Sequence, residues 1–410
     1  MSRPDAAART APLAHAMAWE ERVQRGAHPV VYPFLRRVAA RGPVVRVPGL
    51  GVVVSDAALA REVLLDTERF TKTGPGSPAD LWTPVLGPAV LLNMEGDDHA
   101  RLRGRLAPLF TPRAVADLTG PVLAGPTERL GERLAAGAHV DLVAHVGAMA
   151  GAVICRMTGL PATDAAVRSA FRDAQEIVGM VRLHRRTLTP PQVRRAREVL
   201  GRLSAHAVTA YRAGDEATVP GRMRALGLSE SEARGAVGAF VLTGTETLVS
   251  FVPRLAALLA DTGWDARLAA ADDAGLAGKV VSEALRITAP TPAMLRSVEA
   301  AGDVGGVRVA AGDRVVIATL LACRGAGPFA PDVPQPAAVR QLWFGAGPHF
   351  CLGMPLAMVQ TTAVLDALLA AVRSAGPLRV VERRVARGVL IPAYAHLAVG
   401  AGPRREADAA

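Results

Sequence analysis

Cys351 stands in the segment LWFGAGPHFCLGMPLA, where its neighbours favour a reactive thiolate. The cysteine follows a glycine-rich turn and lies shortly before Pro355, a residue suited to the first turn of a helix. Because backbone N–H groups at a helix start stabilise a thiolate, we expect a lowered pKa and a good metal ligand. Three glycines would let the backbone pass close to a flat, bulky ligand: Gly345, Gly347 and Gly353. For the cysteine taken alone, a buried residue in a loop is the alternative interpretation.

A second unusual segment interrupts the long apolar stretch 228–260, which has the pattern of a buried helix. Its centre reads LTGTETLVS, and these residues are poor choices for a helix interior. Gly costs about 1 kcal/mol relative to Ala, and Thr hydroxyls compete for backbone carbonyls. Glu246 and Thr247 place an acid next to an alcohol within this segment. The pattern indicates either a functional opening of the helix or a harmless kink.

The run F-G-x-G-x-H-x-C-x-G around Cys351 resembles the haem-binding loop of the cytochrome P450 family at every specified position. Other segments resemble the family's motifs and follow its order along nearly the whole chain. They are HARLR with His99 and Arg103, TGTET in the apolar stretch, EALR with Glu283 and Arg286, and MLRSV with Arg296.

The resemblance implies that the chain binds haem b (iron protoporphyrin IX) through the Cys351 thiolate, with O₂ as co-substrate. A cysteine ligand on haem iron favours cleavage of the O–O bond. Phe344 would pack near the sulfur, and Gly345 and Gly353 would shape the loop. Burying the two haem propionates requires charge-assisted donors. The residues that match the family's propionate-binding positions are His99, Arg103, Arg296 and His349.

The resemblance also assigns catalytic roles in the interrupted helix. Glu246 and Thr247 match the family's proton-delivery pair, which passes protons through positioned hydroxyls and water. Gly244 would leave room for O₂. Peroxide-using relatives typically lack this pair, so we expect O₂ and two electrons from a partner protein. A threonine that only bonds back to its own helix is the alternative for Thr247.

Glu283 and Arg286 lie three residues apart on one helix face, where they can form an ion pair. In the family this pair braces the core on the haem-loop side, so we expect a structural role. The family usually supports the pair with an arginine from an F-D-x-x-R motif, and this chain lacks the motif. Arg340, the only arginine between Arg324 and the haem loop, is the candidate substitute.

The surrounding sequence predicts the elements that position these residues. Glycine and proline separate mostly helical patterns from a few strand-like ones. We expect a mainly α protein with a small β lobe (α+β), which the resemblance makes a cytochrome P450 fold: one large domain with a long central helix over the haem. The expected boundaries are a partly flexible tail over 1–25, the domain over 26–402 and a tail over 403–410.

Composition narrows the function classes. The net charge of +10 comes almost entirely from arginine, but only 4% of residues are aromatic and no nucleic-acid-binding signature is visible, so we expect no nucleic-acid partner. Three widely spaced cysteines argue against disulfides and a zinc site. No apolar run reaches the length that a membrane helix needs, roughly 18 residues. We expect a cytoplasmic monomer without a membrane anchor.

By resemblance, the substrate faces the segment 71–93, the central helix and two later segments. The candidate wall residues are largely apolar, which favours an apolar or mixed small molecule. They are Trp82, Leu86, Leu91, Phe240, Thr243, Met294, Ile391 and Tyr394, any of which could instead belong to the core. The basic stretch 180–197 matches a lid over the pocket. It is either a solvated surface or a sign of an anionic or carrier-protein-tethered substrate.

We therefore expect a haem-thiolate monooxygenase that hydroxylates or epoxidises a small, natural-product-like molecule. Electrons would come from a separate ferredoxin or flavodoxin-type protein. The alternative is a haem protein that senses or carries a ligand without turnover. The pair Glu246–Thr247 favours the enzyme, because a binding protein has no use for proton delivery.

Overall fold

The computed structural model describes residues 4–182 and 187–403. Helices predominate in these residues, as the sequence predicts. They are α1 (Pro4–Ala27), α2 (Val31–Ala39), α3 (Ala57–Leu65), α4 (Pro78–Leu86), α5 (Gly96–Leu106), α6 (Pro112–Ala135), α7 (Leu142–Thr158), α8 (Asp164–Val178), α9 (Pro190–Ala213), α10 (Val219–Ala225), α11 (Glu230–Gly244), α12 (Glu246–Thr262), α13 (Trp264–Ala269), α14 (Ala274–Thr288), α15 (Thr319–Arg324) and α16 (Met354–Ala375).

The strands form three small sheets. They are β1 (Val44–Val47), β2 (Gly51–Val54), β3 (Phe70–Thr71), β4 (Val140–Asp141), β5 (Met294–Val298), β6 (Gly302–Val304), β7 (Val307–Val309), β8 (Arg314–Ile317), β9 (Leu378–Val385) and β10 (Tyr394–Ala401). The largest sheet has the order β1-β2-β8-β5-β3, in which β2 and β8 are parallel; the others are β4-β10-β9 and β6-β7. This arrangement confirms the prediction of a mainly α fold with a small β lobe.

The long apolar stretch forms two consecutive helices, α11 and α12, separated only by Thr245. Hydroxyl groups bond back to the preceding turn on both sides of this residue: Thr243 to Ala239 O at 2.8 Å and Thr247 to Thr243 O at 3.1 Å. Such bonds compete with the backbone ladder and often bend helices. The threonines therefore account for the interruption.

α12 lies in the core and contacts α1, α7, α14 and α16. Two helical stretches have the length and apolar composition to cross a membrane, Glu230–Thr262 and Met354–Ala375. However, 67% and 50% of their most apolar windows are buried inside the protein. Core helices of globular proteins show the same combination, so these stretches are weak evidence for a membrane protein.

The N-terminal segment differs from the expected tail over 1–25. α1 packs against α12, and its residues Glu20 and Val23 are buried. Glu20 accepts hydrogen bonds from Arg254 on α12, at 3.1 Å and 2.5 Å, and lies 3.4 Å from Arg324 on α15. A buried carboxylate with two guanidinium partners fixes the helix in place, so the second half of α1 belongs to the folded body.

Glu283 and Arg286 form a buried bidentate ion pair on α14, with N–O distances of 2.7 Å and 2.6 Å. Arg286 also donates to the carbonyls of Cys323, Gly327 and Pro328. The pair thus fastens α14 to the last turn of α15 and to the segment that follows it. This geometry agrees with the structural role expected from the sequence.

Gln335, not Arg340, supplies the additional side-chain partner of this pair. Gln335 Nε2 donates to Glu283 Oε2 at 3.0 Å. Arg340 is exposed, and its carbonyl oxygen accepts a hydrogen bond from Arg61. The expected substitution of the missing motif arginine by Arg340 is therefore wrong: a neutral amide takes that place.

Replacing Gln335 with alanine is expected to lower the free energy of unfolding by about 1–2 kcal/mol, because a charged acceptor loses one donor. Burial acts to raise the pKa of Glu283, but hydrogen bonds from Arg286, Ala330 N–H and Gln335 together lower it. A carboxyl with a lowered folded-state pKa stabilises the protein at neutral pH, and that stability is lost as the pH falls through the folded-state pKa. The difference between variant and wild type should therefore shrink in acid.

Urea unfolding at neutral and acidic pH measures both effects. Arg340→Ala is the matched control, since its exposed side chain should contribute little. A larger loss of unfolding free energy in Arg340→Ala than in Gln335→Ala would show that Arg340 supports the Glu283–Arg286 pair after all.

Candidate functional site

The loop that carries Cys351 is closed by a backbone hydrogen bond from Cys351 N to Phe344 O, at 2.9 Å. Gly345 and Gly347 have φ values of +84° and +64°, in the left-handed region that favours glycine. Gly353 has an ordinary φ of −80° and caps α16. The first two glycines are thus needed for the turn itself, whereas Gly353 lies at the helix start, where a Cβ would be 3.9 Å from the Cys351 sulfur.

The environment of the thiol differs from the sequence expectation of a lowered pKa. Burial among protein atoms raises the pKa of Cys351, although its surface is partly open to solvent. The backbone N–H groups of Gly353 and Met354 and the guanidinium of Arg103 act in the opposite direction. The helix start therefore supplies the predicted donors, but desolvation outweighs them in the protein alone. A bound metal cation would reverse the balance, because metal ligation deprotonates a thiol.

The predicted propionate residues converge beside this loop. His349 Nδ1 lies 3.2 Å from His99 Nε2, and the centroids of the two rings are 4.2 Å apart. Arg296 on β5 is buried, and Arg103 on α5 is close enough to Cys351 to influence its pKa. Residues from α5, β5 and the loop thus meet in one place, although 250 positions separate His99 from His349.

Two further residues, Lys72 and Glu95, complete this group. We call it the polar cluster: Lys72, Glu95, His99, Arg103, Arg296 and His349. Lys72 Nζ lies 3.2 Å from His349 Nδ1, and the Glu95 carboxylate bonds His349 Nε2. Burial first, and then the neighbouring charges of His349, Lys72 and Arg103, lower the pKa of His99 to about 4. Burial likewise lowers the pKa of Arg296 to about 10.

The polar cluster fits the carboxylates of a haem group. It gathers three basic side chains and two imidazoles around a single carboxylate, and Arg296 Nε has no hydrogen-bond partner among the residues that the structure describes. Buried cations require anionic partners. A haem bound through Cys351 would bring two propionates, so the donor set and the thiol are mutually consistent.

The helix interruption presents the predicted oxygen-activation residues. Thr243 and Gly244 are exposed, Glu246 and Thr247 are half-buried, and Thr245 between them is buried. Thr247 Oγ1 donates to Thr243 O and keeps its acceptor capacity. The alternative of local back-bonding is therefore realised in this structure, and proton delivery by Thr247 would require that bond to be released.

Glu246 has surroundings suited to a proton donor. Burial raises its pKa, and a hydrogen bond from Gln175 on α8 only partly offsets the effect. Glu246 Oε1 has no hydrogen-bond partner in the described part of the chain. A desolvated carboxyl with a raised pKa holds its proton closer to neutral pH than a fully solvated one.

Two of the candidate pocket residues belong to one apolar cluster. Trp82 and Leu86 pack with residues of α8, α9 and α11, among them Leu242. Leu242 directly precedes the exposed Thr243 at the end of α11. The structure therefore places these two side chains close to the helix opening.

Three other candidates lie apart from this cluster or at its margin. Leu91 and Met294 are partly buried at the edge of the main core. Ile391 is half-buried, and its neighbour Leu390 packs against the cluster that contains Trp82. The candidates are thus divided between two packing clusters in the described residues.

Phe240 and Tyr394 lie elsewhere. Phe240 packs edge-on against Phe110, with ring centroids 5.1 Å apart, and lines a cavity of about 20 Å³. Tyr394 is buried beside Glu20 and Arg383, and burial raises its pKa. Tyr394 is therefore a core residue in this structure, whereas Phe240 is half-buried and packs at the edge of the core.

Part of the basic stretch 180–197 is paired with residues of neighbouring elements. Arg195 bonds Glu176 at 2.5 Å and 3.0 Å, and Arg197 donates to Pro84 O at 2.7 Å. These contacts favour a structured, solvated surface for the described part of the stretch. Two of its arginines lie outside the described residues: Arg185 and Arg186.

Sequence reasoning missed three residues near the site. Lys72 carried a signal, since it is one of two lysines in an arginine-rich chain. Glu95 carried a weaker one, because it lies just ahead of HARLR. Gln175 carried none, since its contact with Glu246 depends on how α8 lies against the start of α12.

The chain is similar to known proteins of one family. The profile of the family described as Cytochrome P450 matches residues 273–375. The chain is 31% identical over 374 residues to the cytochrome P-450 monooxygenase DoxA of Streptomyces sp. (strain C5), covering 80% of this chain and 84% of that protein. It is 29% identical over 328 residues to the erythromycin C-12 hydroxylase of Saccharopolyspora erythraea, covering 75% and 78%.

Solved structures show the same fold. A mutant of P450 EryK in complex with erythromycin B superposes with a TM-score of 0.75 at 24% identity, covering 93% of this chain and 98% of that one. The predicted haem loop and EALR motif lie inside the matched family region, and the relatives extend the match over most of the chain. The chain therefore belongs to the cytochrome P450 family and is a P450 monooxygenase.

Proposed function

We propose that this monooxygenase uses O₂ to hydroxylate or epoxidise a small natural product, with electrons from a separate ferredoxin or flavodoxin-type protein. The observation that carries the proposal is the opening between α11 and α12, where Glu246 and Thr247 are half-buried beside the exposed Thr243 and Gly244. A relative named as a hydroxylase of erythromycin supports a macrolactone or another polyketide as the substrate class. The family assignment makes the protein an enzyme, which argues against the alternative of a ligand sensor or carrier.

Cys351 would hold the haem iron, and the propionates would bind His99, Arg103, Arg296 and His349. When bound, the haem supplies O₂ binding and the electron push of a thiolate ligand that favours O–O cleavage. Phe344 would shield the sulfur from water, since it packs at the edge of the core and against Phe350. Gly244 would keep the adjacent helix surface free of side-chain bulk, since a Cβ there meets no atom within 4 Å.

The chain's own proton path would run through the helix opening. Glu246, with its raised pKa, would take a proton from solvent on the α8 side, where Gln175 orients it. Thr247 Oγ1 would accept a hydrogen bond from water and pass a proton on after releasing Thr243 O. Carboxyl, hydroxyl and water together can deliver the protons that O–O cleavage consumes.

Thr247→Ala is expected to lower product formed per electron consumed by about 10²-fold, within the range of a lost general acid–base group. Thr247→Ser should keep most of the yield, since it retains the hydroxyl. The measurement is product against NADH consumed, with a surrogate ferredoxin and reductase. Substrates would come from a panel of macrolactones and other polyketides that shift the haem absorption band.

Thr245→Ala is the matched control. It removes the buried hydroxyl at the helix break itself, which bonds Val241 O at 3.0 Å, so it tests disturbance of the helix without removing the hydroxyl proposed to pass a proton. Equal losses of product yield in Thr247→Ala and Thr245→Ala would show that Thr247 affects the reaction only through the folding of the helix. An anionic or carrier-tethered substrate stays a prediction on which this proposal does not depend.

A further inference from the structure

Lys72 is a buried lysine in a chain that otherwise relies on arginine. It follows β3, and only 8% of its surface is exposed. The other lysine, Lys279, has a side chain that is 63% exposed and forms a loose pair with Asp273. A lysine is rarely buried without a partner, because desolvating its charge is costly.

The ammonium group of Lys72 has two polar contacts among the described residues. Nζ donates to Leu91 O at 3.1 Å and lies 3.2 Å from His349 Nδ1. An ammonium group has three hydrogens, so one donor is left over. Neither contact partner carries a negative charge that would compensate for the burial.

The charges near Lys72 do not explain its burial either. Burial first, and then Arg296, lower the pKa of Lys72 to about 7; Arg103 adds to this effect and Glu95 opposes it. Glu95 is already shared: one oxygen accepts from Lys72 N and the other bonds His349. Within the described residues the cations around Lys72 therefore outnumber the carboxylates, and the site lacks an anion that a ligand could bring.

We propose that Lys72 is an additional haem-binding residue, whose ammonium group pairs with a propionate and thereby links segment 71–93 to the cofactor. The inference rests on the haem site of the proposed function. His349 is shared between Lys72 and His99, so the ammonium group already lies among the residues assigned to the propionates.

The position of Lys72 gives this contact a second consequence. Its side chain reaches Leu91 O, and its own N–H reaches Glu95, so it joins the two ends of the segment that contains Trp82 and Leu86. A propionate held by Lys72 would stabilise the same side-chain conformation. Haem loading and ordering of the substrate-facing segment are then coupled through one residue.

The test compares haem retention in purified holoenzyme. Haem is transferred to an excess of apomyoglobin from the wild type, Lys72→Met, Lys72→Gln, Lys72→Arg and Lys279→Met. Loss of a charge-assisted hydrogen bond predicts release about 10- to 100-fold faster in Lys72→Met and Lys72→Gln. Lys72→Arg and Lys279→Met should release haem nearly as slowly as the wild type.

If Lys72 only stabilises segment 71–93 and does not bind haem, the variants should behave differently. In that case Lys72→Met would be cut faster by protease within 73–90 but would release haem at the wild-type rate, and the inference would fail. The ferric–ferrous potential adds a second readout, because removing a cation near a propionate should make reduction harder in both neutral variants and not in Lys72→Arg. A potential unchanged in both neutral variants would likewise contradict the pairing of Lys72 with a propionate.

Folding and ligation controls separate the remaining outcomes. If Lys72→Met does not fold, the comparison of Lys72→Gln with Lys72→Arg decides the question: wild-type release from Lys72→Gln rejects the proposal. The reduced, carbon monoxide-bound spectrum of the wild type is recorded first. A wild type without a thiolate-type band contradicts the proposed haem site itself, whereas a normal band with unchanged release in the variants contradicts only the role of Lys72.

Discussion

Cys351→Ser is expected to eliminate the strongly red-shifted absorption band of the reduced, carbon monoxide-bound protein. Monooxygenase turnover should fall to background in the same variant. In the proposed site the thiolate would supply electron density to haem iron, and a serine hydroxyl at this place could not replace it. The surroundings of the variant would be unchanged, because Gly353 and Met354 would still present their N–H groups to the side chain.

The absorption spectrum distinguishes loss of the proposed iron ligand from loss of the fold. Haem can remain in the pocket of Cys351→Ser through the polar cluster, with a band at an ordinary wavelength. Cys155→Ala is the matched control, since Cys155 is buried in α7 and has no place in the site. A red-shifted band that persists in Cys351→Ser, or disappears in Cys155→Ala, would contradict the assignment of the ligand.

Motif spacing predicted much of the local backbone geometry around the candidate site, because the motifs are local. Within the haem loop, the turn glycines, the cysteine and the following helix start lie within ten positions, so backbone geometry follows from sequence. The interrupted helix is similar: each threonine bonds a carbonyl four residues earlier, and the pattern that weakens the helix is legible in the chain.

Contacts between distant segments were not predictable in the same way. Gln335 replaces an expected arginine because a loop brings its amide to Glu283 across 52 positions. Tyr394 has a residue type common in pocket walls, but the fold buries it beside Glu20 and Arg383, and the residue type alone does not reveal that burial. The pKa of Cys351 depends on desolvation by surrounding atoms, and the flanking sequence does not show how strong that desolvation is.

The N-terminal segment shows most clearly that contacts between distant residues could not be predicted from the sequence. A polar, alanine-rich sequence resembles a solvated tail, and Glu20 alone gives no sign of burial. Its partner Arg254 lies 234 positions later, in the middle of an apolar helix. An arginine among buried aliphatic residues requires a carboxylate, but the sequence does not say which of 37 acidic residues provides it.

Arg254→Met is expected to lower the free energy of unfolding by about 3–5 kcal/mol, because it leaves the buried Glu20 carboxylate without its main partner. Arg254 has no exposed side-chain surface, and it also donates to Thr288 O at 2.9 Å and Pro392 O at 3.2 Å. These bonds join α1, the end of α14 and the segment before β10. Their loss should therefore loosen three elements together.

Urea unfolding followed by circular dichroism measures the change at neutral pH. Arg25→Ala on α1 removes an exposed partner of Glu21 and should change stability by less than about 0.5 kcal/mol. Deleting residues 1–25 should destabilise the protein at least as much as Arg254→Met, because it removes Glu20 and leaves the arginine buried without its carboxylate. A truncated protein as stable as the wild type would show that α1 is a dispensable tail after all, and that the buried ion pair contributes nothing that the rest of the core does not already supply.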